Sequence, residues 1–185
     1  MTVVRGKGNI GGWIVTAIKT GLPPIAARDA RLFVLGSLPG DASLAAGRYY
    51  AHPTNQFWRL LGHAIGEELH ELGYDERLGR LRARRIGLWD VIASAQRLGS
   101  LDQAIRGVGH NPLERLAAEF PALEAVAFNG RTAAAAGRRL LGGASGIALI
   151  DLPSSSAANT RPLAEKAGTW AQLAQFAGPP QGGGR

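Results

Sequence analysis

Three short apolar segments, each followed at once by a loop of small and polar residues, constrain the fold of this chain most. They are ARLFVLGSLPG at residues 30–40, EAVAFNG at 124–130 and GIALIDLPSSS at 146–156. Each is typical of a buried strand that runs into a tight loop. Because helical patterns lie between them, we expect an α/β fold, a three-layer α/β/α sandwich around a mainly parallel central sheet. The loops would then meet at the ligand-binding edge of that sheet.

The segments between these strands show helical spacing of their apolar residues, and GLWDVI at 87–92 is a further short strand candidate. The spacing predicts helices at residues 55–69, 76–87, 112–121, 131–141 and 163–178. The length of 185 residues fits one domain with tails. We expect a loosely ordered extension at 1–22, a single domain at 23–177 and a flexible glycine-rich tail at 178–185.

The charge and the residue usage limit the classes of function that this chain can have. The chain has 21 lysines and arginines against 14 acidic residues, a net charge of +7, which favours a polyanionic partner, although an arginine-rich proteome would give the same excess. It has no cysteine, which excludes disulfides and thiolate chemistry and is compatible with a reducing cytoplasm. No apolar run reaches the roughly 18 residues of a membrane helix. The histidines form no metal-ligand pattern, so we expect neither a metal nor another cofactor.

Four motifs together resemble the uracil-DNA glycosylase superfamily, and most closely its DNA-deoxyinosine (hypoxanthine-DNA) glycosylase branch. They are LGSLPGDASLAAGRYYAHPTNQFW at 35–58, GLWDVI at 87–92, FNG at 128–130 and LPSSSAAN at 152–159. The likeness covers about residues 22 to 176. It implies an enzyme that flips a deaminated base, hypoxanthine above all, out of double- or single-stranded DNA and hydrolyses its N-glycosidic bond. We expect it to act as a monomer.

The first motif departs from part of the superfamily. Mismatch-specific relatives place a catalytic asparagine just before the proline of this motif, where this chain has Leu38. The deoxyinosine branch also lacks an asparagine at this position, and the resemblance implies that Asn55 is the catalytic residue instead. A neutral amide can hold the attacking water without ionising. The residues alone favour Asn55 as the N-cap of the following helix, the resemblance favours catalysis, and the two roles could coexist.

The resemblance also implies a set of base-binding residues. Tyr50 matches an aromatic position on which the flipped base stacks, although it could be a half-buried core residue. Asp90 ends the GLWD strand and could accept from the N1–H of hypoxanthine, but an ionised carboxylate would repel O6. Asn129 could contact the base or act only as a turn former. Ser37, in the first motif, completes the set.

The loop LPSSSAAN matches the superfamily motif that presses on the DNA backbone, although a serine-rich turn would explain its composition equally well. The predicted backbone contacts are Ser154, Ser155, Ser156, Asn159 and Arg161. His52 is an auxiliary candidate, because the loop sequence supplies no carboxylate partner that would make it a general acid.

No lysine occupies the matched motifs, which favours a monofunctional glycosylase that leaves an abasic site. Three alternatives stay open: a uracil or mismatch-type glycosylase, a catalytically weak nucleic-acid-binding protein, and a nucleotide-binding α/β domain that uses GSLPG as a phosphate loop. The last lacks both glycine-rich nucleotide-binding patterns.

Overall fold

The computed structural model describes residues 3–5, 15–142 and 146–179. Its strands are β1 Val3–Arg5, β2 Val15–Thr20, β3 Leu32–Gly36, β4 Ile86–Asp90, β5 Ile92–Gln96, β6 Arg106–His110, β7 Ala125–Asn129 and β8 Ala148–Leu152. Its α-helices are α1 Asp41–Ala46, α2 Phe57–Ile65, α3 Tyr74–Ala83, α4 Leu116–Glu119, α5 Arg131–Leu141 and α6 Leu163–Trp170. Short 3-10 helices span Leu69–Glu71, Asp102–Ala104, Leu113–Arg115 and Ala171–Gln175.

The central sheet is four-stranded, in the order β4-β3-β7-β8, and every pairing in it is parallel. Strand β3 is buried along its whole length, as expected for a central strand covered on both faces. Its side chains alternate between two cores: Leu32 and Val34 pack with residues of α2 and α6, and Phe33 and Leu35 with residues of α5. Helices therefore cover both faces, and the predicted three-layer architecture is confirmed.

A second four-stranded sheet, which the sequence patterns did not reveal, adjoins the first. Its order is β1-β2-β5-β6 and its pairings are antiparallel. The chain passes from β4 into β5 through Val91, whose N–H donates to the carbonyl oxygen of Gly36 at 2.8 Å. The second sheet therefore begins beside the carboxyl end of β3, where the predicted ligand-binding loops lie.

Part of the extension predicted at 1–22 lies among the described residues and forms strands β1 and β2. Strand β2 pairs with β5 in a regular register from Ile18 to Thr20 and lies between β1 and β5 in the second sheet. Residues 1, 2 and 6–14 lie outside the described residues, as do 180–185 of the predicted tail. The boundaries at 23 and 177 stay predictions.

Several helices differ from their predicted bounds. The predicted 76–87 helix ends as α3 at Ala83, and Gly87 belongs to β4. The predicted 112–121 helix is a 3-10 turn followed by the single turn of α4. The last helix becomes a 3-10 helix after Trp170. None of the helices in the described residues is long and apolar enough to span a lipid bilayer.

Candidate active site

The loops that follow the parallel strands converge on one cleft of about 890 Å³ at the carboxyl edge of the central sheet. Every residue predicted from the sequence to act in catalysis, base binding or DNA contact lines this cleft: Ser37, Tyr50, His52, Asn55, Asp90, Asn129, Ser154, Ser155, Ser156, Asn159 and Arg161. The loop between β5 and β6 also lines it, through residues 100–103, and was not predicted to do so. The cleft therefore combines loops from both sheets.

Asn55 lies at the entrance to α2. Its side-chain oxygen accepts a hydrogen bond from the backbone N–H of Phe57 at 3.0 Å, and its own N–H donates to the carbonyl oxygen of His52 at 2.9 Å. The N-cap of α2 is Gln56, so the N-cap role considered for Asn55 is wrong by one residue, and Asn55 instead accepts from the first N–H of the helix. A carbonyl oxygen has two lone pairs, so this bond still leaves Oδ1 able to accept a second hydrogen bond. Holding the helix and orienting a water are compatible for this side chain.

The residue after Asn55 connects α2 to the serine-rich loop. The backbone N–H of Gln56 donates to the carbonyl oxygen of Ser155 at 2.9 Å. Its side-chain Oε1 accepts from Nζ of Lys166 at 2.9 Å, and the same ammonium donates to the carbonyl oxygen of Asn159 at 2.6 Å. Lys166 is fully buried. Its position in a short amphipathic helix gives no sequence signal of this role.

Tyr50 presents an aromatic ring to the cleft, and Phe57 supports that ring from behind. The two rings are parallel to within 5°, with centroids 3.6 Å apart. The backbone of Tyr50 has a φ of 53°, a left-handed conformation that is rare for a bulky residue and that marks functional or strained sites. Tyr49 points into the core instead, where its hydroxyl donates to the carbonyl oxygens of Leu22 and Pro23, and Phe57 is also a core residue.

Asp90 is a buried carboxyl group at the end of β4. It is only 3% exposed, and burial raises its pKa from 3.8 to about 7. Gly36, on the neighbouring strand, makes room for it: a Cβ on Gly36 would lie 2.6 Å from Asp90 Oδ1 and 3.2 Å from the Tyr50 hydroxyl. Within the described structure, neither Asp90 Oδ2 nor the Tyr50 hydroxyl has a hydrogen-bond partner. Two buried polar groups are thus unpaired in the cleft.

Asn129 and Ser155 satisfy each other. The Asn129 amide donates to Ser155 Oγ at 2.8 Å, and the Ser155 backbone N–H donates to Asn129 Oδ1 at 2.9 Å. Ser155 is fully buried. Its hydroxyl oxygen and its N–H thus join the loops after β7 and β8, and its contact with the DNA backbone stays a prediction. Asn129 is half-buried, and these two hydrogen bonds with Ser155 occupy its side-chain amide.

The other predicted backbone contacts lie on an ordered turn. Ser154 Oγ accepts from the N–H of Ser156, and Ser156 Oγ accepts from the N–H of Ala158, both at 3.2 Å. A hydroxyl that accepts still has its own O–H to donate. Asn159 closes the turn by donating to the Ser154 carbonyl oxygen at 3.0 Å. Arg161 is exposed at the rim of the cleft, and so is Arg131, which the sequence reasoning missed.

Ser37 bonds to a residue of another loop, and His52 bonds within its own turn. Ser37 donates to Asp102 Oδ1 at 2.7 Å, which connects the first motif to the loop between β5 and β6. His52 Nδ1 lies 2.9 Å from the hydroxyl of Thr54, on an exposed turn. Both contacts stabilise the loops in which these residues lie.

A buried arginine, which the sequence analysis did not single out, holds the loop of the first motif. Arg97 is 2% exposed and donates to the carbonyl oxygens of Leu38, at 3.1 Å, and Pro39. Leu38 itself packs with Ile92 and Ala95 in a small apolar cluster against the second sheet. The position that holds an asparagine in mismatch-specific relatives is therefore a packing position in this chain.

Comparison with known proteins agrees with this arrangement. The family model of the uracil DNA glycosylase superfamily matches residues 23–174. Proteins named hypoxanthine DNA glycosylase from Methanosarcina acetivorans and Methanosarcina barkeri are each 40% identical, over 83% of this chain and 96% of their own length. The solution NMR structure of a candidate uracil DNA glycosylase from Methanosarcina acetivorans superposes with a TM-score of 0.74 at 40% identity, covering 85% of this chain and 99% of that one. This chain therefore belongs to the uracil DNA glycosylase superfamily.

Proposed function

We propose that this protein is a DNA glycosylase that hydrolyses the N-glycosidic bond of deoxyinosine in DNA, releases hypoxanthine and leaves an abasic site. The observation that carries the proposal is the meeting of Asn55, the Tyr50 ring and the buried carboxyl of Asp90 in one cleft. Relatives that are 40% identical over most of the chain carry the name of that activity. The net charge of +7 suits a DNA partner.

The reaction needs a water at C1′ of the sugar and stabilisation of the departing base. Positive charge develops on the sugar as the bond breaks, and negative charge develops on the base. Asn55 accepts a hydrogen bond from the attacking water through Oδ1 and orients it toward C1′. Because the amide is neutral, it does this at any pH at which the protein is folded. Leu38 stands where mismatch-specific relatives have their catalytic asparagine, and its side chain has no polar group that could hold the water instead.

The base enters between the Tyr50 ring and the end of the central sheet. Stacking on an aromatic side chain contributes about 1–3 kcal/mol per base. A neutral Asp90 complements the edge of hypoxanthine: its carbonyl oxygen accepts from N1–H and its hydroxyl donates to O6. Because burial raises the pKa of Asp90 to about 7, a large share of this carboxyl is neutral at pH 7, and the neutral form does not repel O6 as an ionised carboxylate would. The donated bond also stabilises negative charge on the departing base.

The remaining cleft residues hold the DNA backbone. The hydroxyls of Ser154 and Ser156, the turn closed by Asn159 and the exposed Arg161 offer donors to phosphates. Among the described residues that line the cleft there is no lysine, which supports hydrolysis without a Schiff-base step. We propose that the protein acts as a monomer on double- or single-stranded DNA.

The test is incubation of the protein with duplexes that carry inosine, uracil, xanthine or ethenocytosine, followed by alkali to cut abasic sites. We expect the inosine strand to be cut fastest. Uracil is the second candidate, because its N3–H and O4 present the same donor and acceptor pair to Asp90. Cleavage of no substrate would favour the alternative of a nucleic-acid-binding protein without activity.

A further inference from the structure

Side chains of two different helices hold the backbone on both sides of Tyr50. On one side, the N–H of Tyr49 donates to the hydroxyl of Tyr74 at 2.9 Å. On the other side, the N–H of Ala51 donates to Ser43 Oγ at 3.1 Å. Tyr74 is the first residue of α3, and Ser43 lies in α1. Both contacts therefore come from outside the turn in which Tyr50 lies.

Tyr50 needs such contacts, because its own backbone conformation is unfavourable. Its φ of 53° places a bulky residue in the left-handed region, where Cβ crowds the following carbonyl oxygen. A residue stays in this region only when the structure around it holds it there. In this conformation the Tyr50 ring lies 3.6 Å from that of Phe57 and lines the cleft. A return to an ordinary φ would turn the ring away from both.

The Tyr74 side chain is itself fixed and lies outside the cleft. Its ring meets that of Trp58 edge to face, with centroids 6.0 Å apart and planes at 89°, and the Arg48 guanidinium lies 5.2 Å from its centroid. The hydroxyl that accepts from Tyr49 is therefore already in place. Because Tyr74 is not among the residues that line the cleft, its effect on a bound base would pass through Tyr50.

We propose that Tyr74 and Ser43 are positioning residues, whose hydrogen bonds to the N–H groups beside Tyr50 keep its ring in the orientation that receives the flipped base. This rests on the proposed function, in which the base stacks on Tyr50. When either bond is lost, a smaller fraction of the molecules holds the ring in place, and the rate falls with that fraction. The loss should therefore require that the Tyr50 ring is present.

The test is single-turnover excision of hypoxanthine, at saturating protein, by Tyr74→Phe and Ser43→Ala. Each change removes the acceptor of one backbone N–H, and each is made in the parent and in Tyr50→Ala. We expect each change to slow the parent about threefold to tenfold. In Tyr50→Ala, which has no ring to position, each should slow excision by less than about twofold more. An unchanged rate for either variant in the parent, or the same fold loss in both backgrounds, would overturn the proposal.

The control separates positioning from a general loss of stability. Val126→Ala truncates a buried side chain of β7 that packs in the other core, with Phe33 and Leu35, and does not line the cleft. It should lower the melting temperature while the folded molecules excise the base at the parent rate. A loss of rate with this control equal to that of Tyr74→Phe would also overturn the positioning role.

A second readout needs neither DNA nor excision. Stacking on Phe57 shifts the NMR resonances of the Tyr50 ring protons upfield, and a ring that leaves the stack loses that shift. We expect Tyr74→Phe and Ser43→Ala to reduce the shift and Val126→Ala to keep it. An unchanged shift in the first two variants would overturn the positioning role, even if the parent excised no base. Absence of excision by the parent would refute the proposed function separately.

Discussion

Replacing Asp90 with asparagine should stabilise the protein at pH 8 far more than at pH 4. In the folded protein, burial raises the pKa of this carboxyl from 3.8 to about 7. The folded state therefore holds a proton that the unfolded chain has lost between these two pH values, so stability falls as the pH rises through this window. A shift from 3.8 to about 7 corresponds to about 4 kcal/mol. Asparagine has nearly the same shape and no proton to lose, so the variant avoids this loss of stability.

The assay is urea denaturation of both proteins at half-unit steps from pH 4 to pH 8.5. Every other titrating group is common to the two proteins, so the difference between their unfolding free energies isolates Asp90. We expect that difference to grow by about 4 kcal/mol between pH 4 and pH 7 and to stay level above pH 7. A difference that is constant across the range would show that the carboxyl titrates normally, and would remove the argument that Asp90 meets the base as a neutral acid.

Other changes test the rest of the cleft. Tyr50→Phe keeps the aromatic face and should keep most activity, whereas Tyr50→Ala should slow single-turnover excision about tenfold to a hundredfold; a fall in melting temperature with normal excision per folded molecule would instead identify a core residue. Gly36→Ala places a Cβ 2.6 Å from Asp90 Oδ1, so we expect weaker binding of inosine DNA, which a titration would measure; unchanged affinity would contradict the arrangement. Lys166→Met leaves two oxygen acceptors without their donor and should lower the free energy of unfolding by about 1–3 kcal/mol in urea, and no loss would show that the ammonium is dispensable.

The parallel sheet and its loops could be predicted because their signals are local. Strands β3, β7 and β8 are apolar runs that stop at glycine, proline or serine, and all three appear where expected. The second sheet has no such signal. Strand β6 reads RGVGH and is largely exposed, so it shows no apolar run, and it exists because it pairs with β5.

The roles of single polar residues were harder to predict. The sequence shows three consecutive serines but does not show that Ser155 is the buried one. The hydrogen bond from Asn129 to Ser155 determines which serine turns inward. Arg97 and Lys166 are buried cations whose partners are mostly backbone carbonyls, and carbonyls leave no mark in a sequence. From residue type alone, both side chains would be expected to lie in solvent.

The central claim is that this cleft hydrolyses a glycosidic bond with a water held by Asn55. The most direct measurement is the single-turnover rate of hypoxanthine excision by the parent and by Asn55→Ala, together with the dissociation constant of each for the same inosine duplex. We predict a loss of at least about a hundredfold in rate, as for removal of other preorganised hydrogen-bonding groups, with the dissociation constant changed only a few-fold. Excision by Asn55→Ala within a few-fold of the parent would contradict the account.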